Sequence, residues 1–252
     1  MTNISLPQIK EKFFHPGFQR YFKNTGWMFF GQIFSLTISF FVGVWMARYL
    51  GPENFGILSY TLAFVGLFAF FADLGVGGIL NRDLVRFPEK RDELMGTGFR
   101  LKLIGSIATY LIICAVALII QHDFLSKLLI IVFASSLILQ SINIINTFFY
   151  ARVESKKNVR VVVIATALST ILKIIIILSG KGIIWFILTY LADTVFQGIG
   201  FLLTYKQTKL KLSDWKYDKS LAINIIKESW SLMLAAVAGF ILLRIDQVMI
   251  GW

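Results

Sequence analysis

The sequence predicts an all-α fold, a polytopic bundle of about seven transmembrane helices, and three observations carry that prediction. Hydrophobic residues make up 57% of the chain and charged residues 15%, with a mean hydropathy of +0.74. A soluble domain carries about 25% charge. The apolar residues come in runs of about 20, the length that crosses a hydrocarbon layer of about 30 Å. The basic residues, finally, are confined to short segments between those runs, where membrane topology puts them.

The first segment, 1–25, mixes Phe14, Phe18, Tyr21 and Phe22 with Lys12, Arg20 and Lys23, the composition of a short surface helix interrupted at Pro16-Gly17. It is too polar for a cleavable signal peptide. The first span, 26–48, has no charge between Trp27 and Met46. A polar knot follows, Ala47-Arg48-Tyr49-Leu50-Gly51-Pro52-Glu53-Asn54-Phe55-Gly56, in which Pro52 cannot continue a helix and the glycines permit reversal. The second span, 57–80, holds Asp73 as its one charge. Further spans are expected at 99–121, 125–149, 159–179, 182–203 and 229–251, with the long segment 204–228 as a connector between two bundles.

Reading the intervening segments alternately places 20 of the 25 basic residues on one side and three on the other, Arg48, Lys127 and Lys181. That asymmetry sets the N-terminus and the longer loops in the cytoplasm. Trp27, Trp215 and Trp230 fall at inner ends of spans, and Trp45, Trp185 and Trp252 at outer ends, as amphipathic rings prefer. The net charge of +11 therefore reports topology, not nucleic acid. Cys114 stands alone in an apolar run, and His15 and His122 fall in loops, so no disulfide or metal set is expected.

An ionisable group at the bilayer centre costs about 2.5–3.5 kcal/mol, so each one is a functional candidate. Five stand out: Asp73, Lys173, Asp193, Arg244 and Asp246. Thr189, Asp193, Gln197 and Gly200 recur along one face of the sixth span; Thr166, Ser169, Thr170 and Lys173 do so on the fifth, and Ser136, Gln140, Asn143 and Thr147 on the fourth. Lys173 and Asp193 come out near mid-membrane on spans joined by a short turn, placed to pair and to line one cavity. The plainer reading of such stripes is interhelical glue, about 0.6 kcal/mol per contact. Asp73 lies near the inner interface, where it can pair with Arg82 or Arg86. Arg244 and Asp246 sit two apart and cannot share a face. No nucleotide loop, zinc spacing or catalytic triad is present, so an enzyme is not expected. Outer-loop acids for a glycan polymerase or ligase reduce to Glu53 and Asp123.

The knot from Ala47 to Gly56, with Asp73-Leu74-Gly75, Asn81-Arg82-Asp83 and the closing Arg244-Ile245-Asp246-Gln247-Val248-Met249-Ile250-Gly251, resembles the polysaccharide transporter family. That family groups flippases of lipid-linked O-antigen and other repeat units with multidrug exporters and lipid II flippases in one superfamily. The resemblance covers the chain from about Phe18 onward. It implies a protein of about 12 to 14 helices in two six-helix lobes around a cationic cavity. Residues 26–203 would be the first lobe, 204–228 the cytoplasmic linker and 229–252 the start of the second lobe, which makes the chain an N-terminal piece. It implies export of undecaprenyl-pyrophosphate-linked oligosaccharide across a bacterial inner membrane by alternating access; the alternative is a cation-coupled small-molecule exporter. Site candidates by position are Lys173, Arg244, Asp73, Asp193, Asp246, Arg48, Gln197 and Asn143. No cofactor is expected, and a proton or sodium gradient is the candidate energy source. Expected partners are the lipid-linked oligosaccharide, membrane lipids, and polysaccharide polymerase and chain-length proteins.

Overall fold

A computed structural model describes residues 16–119 and 123–230, and these are helical throughout apart from turns. The helix Pro16–Asp73 is broken at Gly51, where φ is 73° and ψ 173°. It therefore divides into α1, 16–50, and α2, 52–73. Then follow α3 (Val76–Arg86), α4 (Arg91–Ile119), α5 (Phe124–Ala134), α6 (Ser136–Leu139), α7 (Ile144–Ala151), α8 (Ser155–Leu178) and α9 (Ile183–Lys206), and a helix α10 over 219–230. Five apolar helical stretches among the described residues are long enough to cross a membrane. The first of them doubles back at Gly51, which makes six crossings. The chain is a multi-pass membrane protein.

Gly51 is the reversal because its dihedrals lie where a Cβ is not accommodated, and because Pro52 cannot donate back into α1. The polar knot is thus compressed to one non-helical residue. Contacts along α1 and α2 fix their directions. Asn24 is tied to the start of α8 at Ser155, Gly31 lies against Val159, and Tyr49 Oη donates to the Lys181 carbonyl at 3.0 Å. So α1 and α8 run parallel. α2 returns, with Ala72 against Gly105 of α4.

Two elements differ from the sequence expectation. The second span ends at Asp73, not Leu80. Leu74 and Gly75 both take positive φ (52° and 64°), which stops the helix. Residues 76–86 form a separate amphipathic helix that buries Val76, Ile79, Leu80, Asp83 and Leu84. The fourth span is not one helix either. It is α5, α6, a 3-10 segment Gln140–Asn143, and α7. Ser135 and Ser141 bond back to the carbonyls of Val132 and Ile138, a competition for backbone groups that loosens α-helical pitch.

Three apolar cores stack along the bundle. At the basic end, Leu80, Met95, Phe149, Phe201 and Tyr205 pack with Ala222 and Ile225 of α10. Tyr60, Phe64, Ile113 and Ile130 join α2, α4 and α5. At the opposite end, Met46, Leu58, Leu129, Phe186 and Ile187 close the turns. Exposed Phe29, Phe40, Phe41, Leu118, Ile171 and Leu178 clothe the outside in apolar surface, as lipid contact requires. Residues 229–252, the expected seventh span, lie outside the described residues apart from Ser229 and Trp230 at the end of α10.

Candidate functional site

Two polar clusters are built inside the membrane-spanning part of the bundle. The first joins α8 to α9. Gly200 makes it close-fitting, since a Cβ there would come within 2.7 Å of Val161. Ser169, buried on α8, donates from Oγ to Asp193 Oδ1 at 3.0 Å, and Gln197 donates from Nε2 to Asp193 Oδ2 at 2.7 Å. Both carboxylate oxygens are thereby held by neutral donors. Lys173 lies beside this group with its ammonium 4.0 Å from the centroid of the Tyr190 ring, a cation–π contact. Phe133 packs edge-on against Tyr190.

This geometry corrects the expected direct pairing of Lys173 with Asp193. Among the described residues no ion pair within 4 Å joins them, because the Tyr190 ring takes the ammonium and Ser169 and Gln197 take the carboxylate. The depths differ as well. At about 1.5 Å per residue, Asp193 lies about 15 Å along α9 from its start, whereas Lys173 lies about 8 Å from the end of α8. Lys173 therefore belongs to the half of the bundle opposite the basic end. Thr189 is not in the cluster, as its hydroxyl turns back to the Phe186 carbonyl.

The second cluster joins α2, α4 and the 3-10 segment. Asp73, the last residue of α2, pairs through Oδ1 with Lys102 Nζ at 2.6 Å. This replaces the expected partners Arg82 and Arg86: Arg82 instead bridges Asp83 at 2.8 Å and Glu228 at 2.7 Å. The pair opens onto a cavity of about 110 Å³, lined also by Ser106, Gln140, Ser141 and Asn143. Asn143 Oδ1 is buried with no hydrogen-bond partner there. An unsatisfied buried acceptor costs about 1–3 kcal/mol, so the cavity offers a place for a donor.

Of the eight residues singled out, the structure brings Lys173, Asp193 and Gln197 together, and separately Asp73 and Asn143. Arg48 is exposed at the opposite end, beside the Gly51 reversal, and joins neither cluster. Arg244 and Asp246 lie outside the described residues. Lys102 was the residue missed. It counts with the basic loop by charge, yet it falls three residues inside the expected span 99–121, and that position was the signal. Among the described residues no three His, Cys, Asp or Glu side chains converge as a metal set. The arrangement can ion-pair, hydrogen-bond hydroxyls and present an ammonium, which is binding chemistry.

A family model described as polysaccharide biosynthesis protein matches residues 21–252. No curated protein and no solved structure matches the chain.

Proposed function

The chain belongs to the polysaccharide biosynthesis protein family, and from that premise we propose that it is a flippase for lipid-linked oligosaccharide repeat units. The observation that carries this reading is the pair of polar clusters inside the membrane-spanning helices, one presenting Lys173 without a carboxylate partner within 4 Å. A sugar–pyrophosphate headgroup crosses lipid only along a polar path with cations for its phosphates and hydrogen-bonding groups for its hydroxyls. Lys173 is the phosphate cation in this scheme. Gln140 and Asn143 are the hydroxyl partners. The prenyl tail stays in the bilayer while the bundle rocks between inward and outward states. The membrane is the bacterial inner membrane, with the basic end cytoplasmic by its excess of Lys and Arg.

Asp193 supplies a specific reason to keep cation coupling in view. Its carboxylate is held by neutral groups, so a proton or sodium ion arriving there is not competing with a resident ion pair. The same feature would serve a small-molecule exporter, which is the second reading. The experiment that separates them is complementation of a bacterial strain lacking its own repeat-unit transporter. The flippase reading predicts restored surface polysaccharide, lost in Lys173→Ala at equal protein level. Drug resistance that follows expression, with surface polysaccharide unchanged, would favour the exporter.

A further inference from the structure

At the basic end, away from both clusters, α1 and the turn between α7 and α8 enclose a charged recess that transport does not explain. Asn24 on α1 accepts from the Ser155 backbone N–H at 2.7 Å, which pins the two elements together. Arg20 donates from Nη2 to the Arg152 carbonyl at 2.7 Å, one turn closer to the N-terminus. Between these ties lies a cavity of about 360 Å³ reached by Arg20, Lys23, Lys156, Trp27 and Glu154. Among the described residues its one carboxylate is already neutralised, since Glu154 is bridged by Lys157 at 2.6 Å and Arg152 at 3.3 Å. Lys156 is held over the Trp27 ring at 5.0 Å, so its charge is positioned without being cancelled. Lys23 and Arg20 make no ion pair among the described residues.

A second cavity, also about 360 Å³, adjoins the first and shares Lys23 and Trp27 with it. The other described residues lining it are Gly26 and Phe30, on the same open face of α1, and a Cβ built on Gly26 would meet nothing within 4 Å. One compartment is cationic and the next is apolar, in line along α1 toward the membrane. That is the outline of an amphiphile, with a phosphate in the recess and an acyl chain along Gly26 and Phe30. A free phosphate would have no use for the second compartment.

We propose that Arg20, Lys23, Lys156 and Trp27 form a headgroup site for an anionic, phosphate-bearing membrane lipid in the leaflet at the bundle's basic end. Basic pockets between membrane helices recognise lipid phosphates in this way. The site stands independently of what the protein transports. It would fasten the foot of α1, already tied to the start of α8, to the leaflet at that end.

Native mass spectrometry of the purified chain, released from detergent with added phosphatidylglycerol or phosphatidylcholine, tests the proposal. Phosphatidylglycerol should bind wild type roughly tenfold or more tighter than the double variant Lys23→Gln/Lys156→Gln. Lys219→Gln, on the same side but outside the recess, should bind like wild type, and Lys23→Arg/Lys156→Arg should restore binding, which separates lost charge from lost folding. A prenyl pyrophosphate that displaces phosphatidylglycerol would identify the carrier lipid as the phosphate source; failure to displace would identify bulk phospholipid. Equal binding of phosphatidylglycerol by wild type and the glutamine variant, or equal binding of phosphatidylcholine, would overturn the site.

Discussion

Lys102 and Asp73 form one ion pair but are not equally sheltered: the Lys102 side chain is 14% exposed and that of Asp73 41%. Removing the acid strands a sheltered ammonium, whereas removing the base leaves a carboxylate that still reaches the polar cavity. Asp73→Asn should therefore lower stability by about 1–3 kcal/mol, and Lys102→Met by less, as read by thermal unfolding in detergent. The reverse order would show that the cavity shelters the acid. The asymmetry was not legible in the sequence. Asp73 stood out as the one charge of its span, but Lys102 was hidden among the other basic residues of its segment. Asp193 with Gln197 and Ser169 was legible, because i, i+4 spacing on two neighbouring spans puts them on facing stripes. What spacing could not show is that an aromatic ring, Tyr190, would take the lysine away from the acid. Ring against carboxylate is decided by packing depth, and depth is a tertiary property.

Elements were legible where apolar length alone decides, and illegible where a short polar or left-handed interruption decides. The reversal at Gly51 was marked by its Gly-Pro pair. The end of α2 was not, since Leu74 and Gly75, which take positive φ, sit in an apolar run that continues into α3. Gly51→Ala should cost about 1–3 kcal/mol, the range for a side chain in a glycine-only backbone region, with the loss seen as a lowered melting temperature. The sequence makes 204–228 a connector, and within it the chain is strapped down. Lys216 N–H donates to the Asp92 carbonyl at 3.0 Å, Asp218 N–H donates to Thr97 Oγ1 at 3.0 Å, and Trp215 Nε1 donates to Tyr205 Oη at 3.0 Å. Trp215 is thus a packing residue against Phe99 and Tyr205 as well as an aromatic near the interface. A Cβ on Gly96 would run into the Lys216 backbone, so Gly96→Ala should lift the strap at about 1–3 kcal/mol, the cost of overpacking. Protease cleavage within 207–218 should then quicken. Asp218 begins α10 by accepting from Ser220 and Leu221, and the Ser220 hydroxyl foremost holds its carboxyl below the usual carboxylate range. A depressed folded value means this cap is fully present above the ordinary carboxylate pKa and is lost as pH falls through the depressed one. Protection of the amides at 219–222, corrected for the intrinsic pH dependence of exchange, should therefore fall in acid, and in Asp218→Ala at neutral pH.

At the scale of the whole molecule, the six crossings among the described residues put a basic rim at one end and tight turns at the other, with polar groups stationed between them. The order is consistent with a path: the Asp73–Lys102 pair and its cavity on the basic half, Asp193 further in, and Lys173 nearest the opposite end. The bundle class was plain from composition and run length, because lipid permits so few backbone arrangements. The arrangement of the polar groups was not, because which polar faces meet depends on helix rotation. Translocation measured in proteoliposomes tests the central claim most directly, using a fluorescent repeat unit on undecaprenyl pyrophosphate and scoring its protection from an external reagent. Wild type should move the headgroup across, and Lys173→Ala, equally folded and incorporated, should reduce the rate at least tenfold, the loss of about one charge-assisted contact. Wild-type and Lys173→Ala rates that are equal, or no movement above protein-free liposomes, would contradict it.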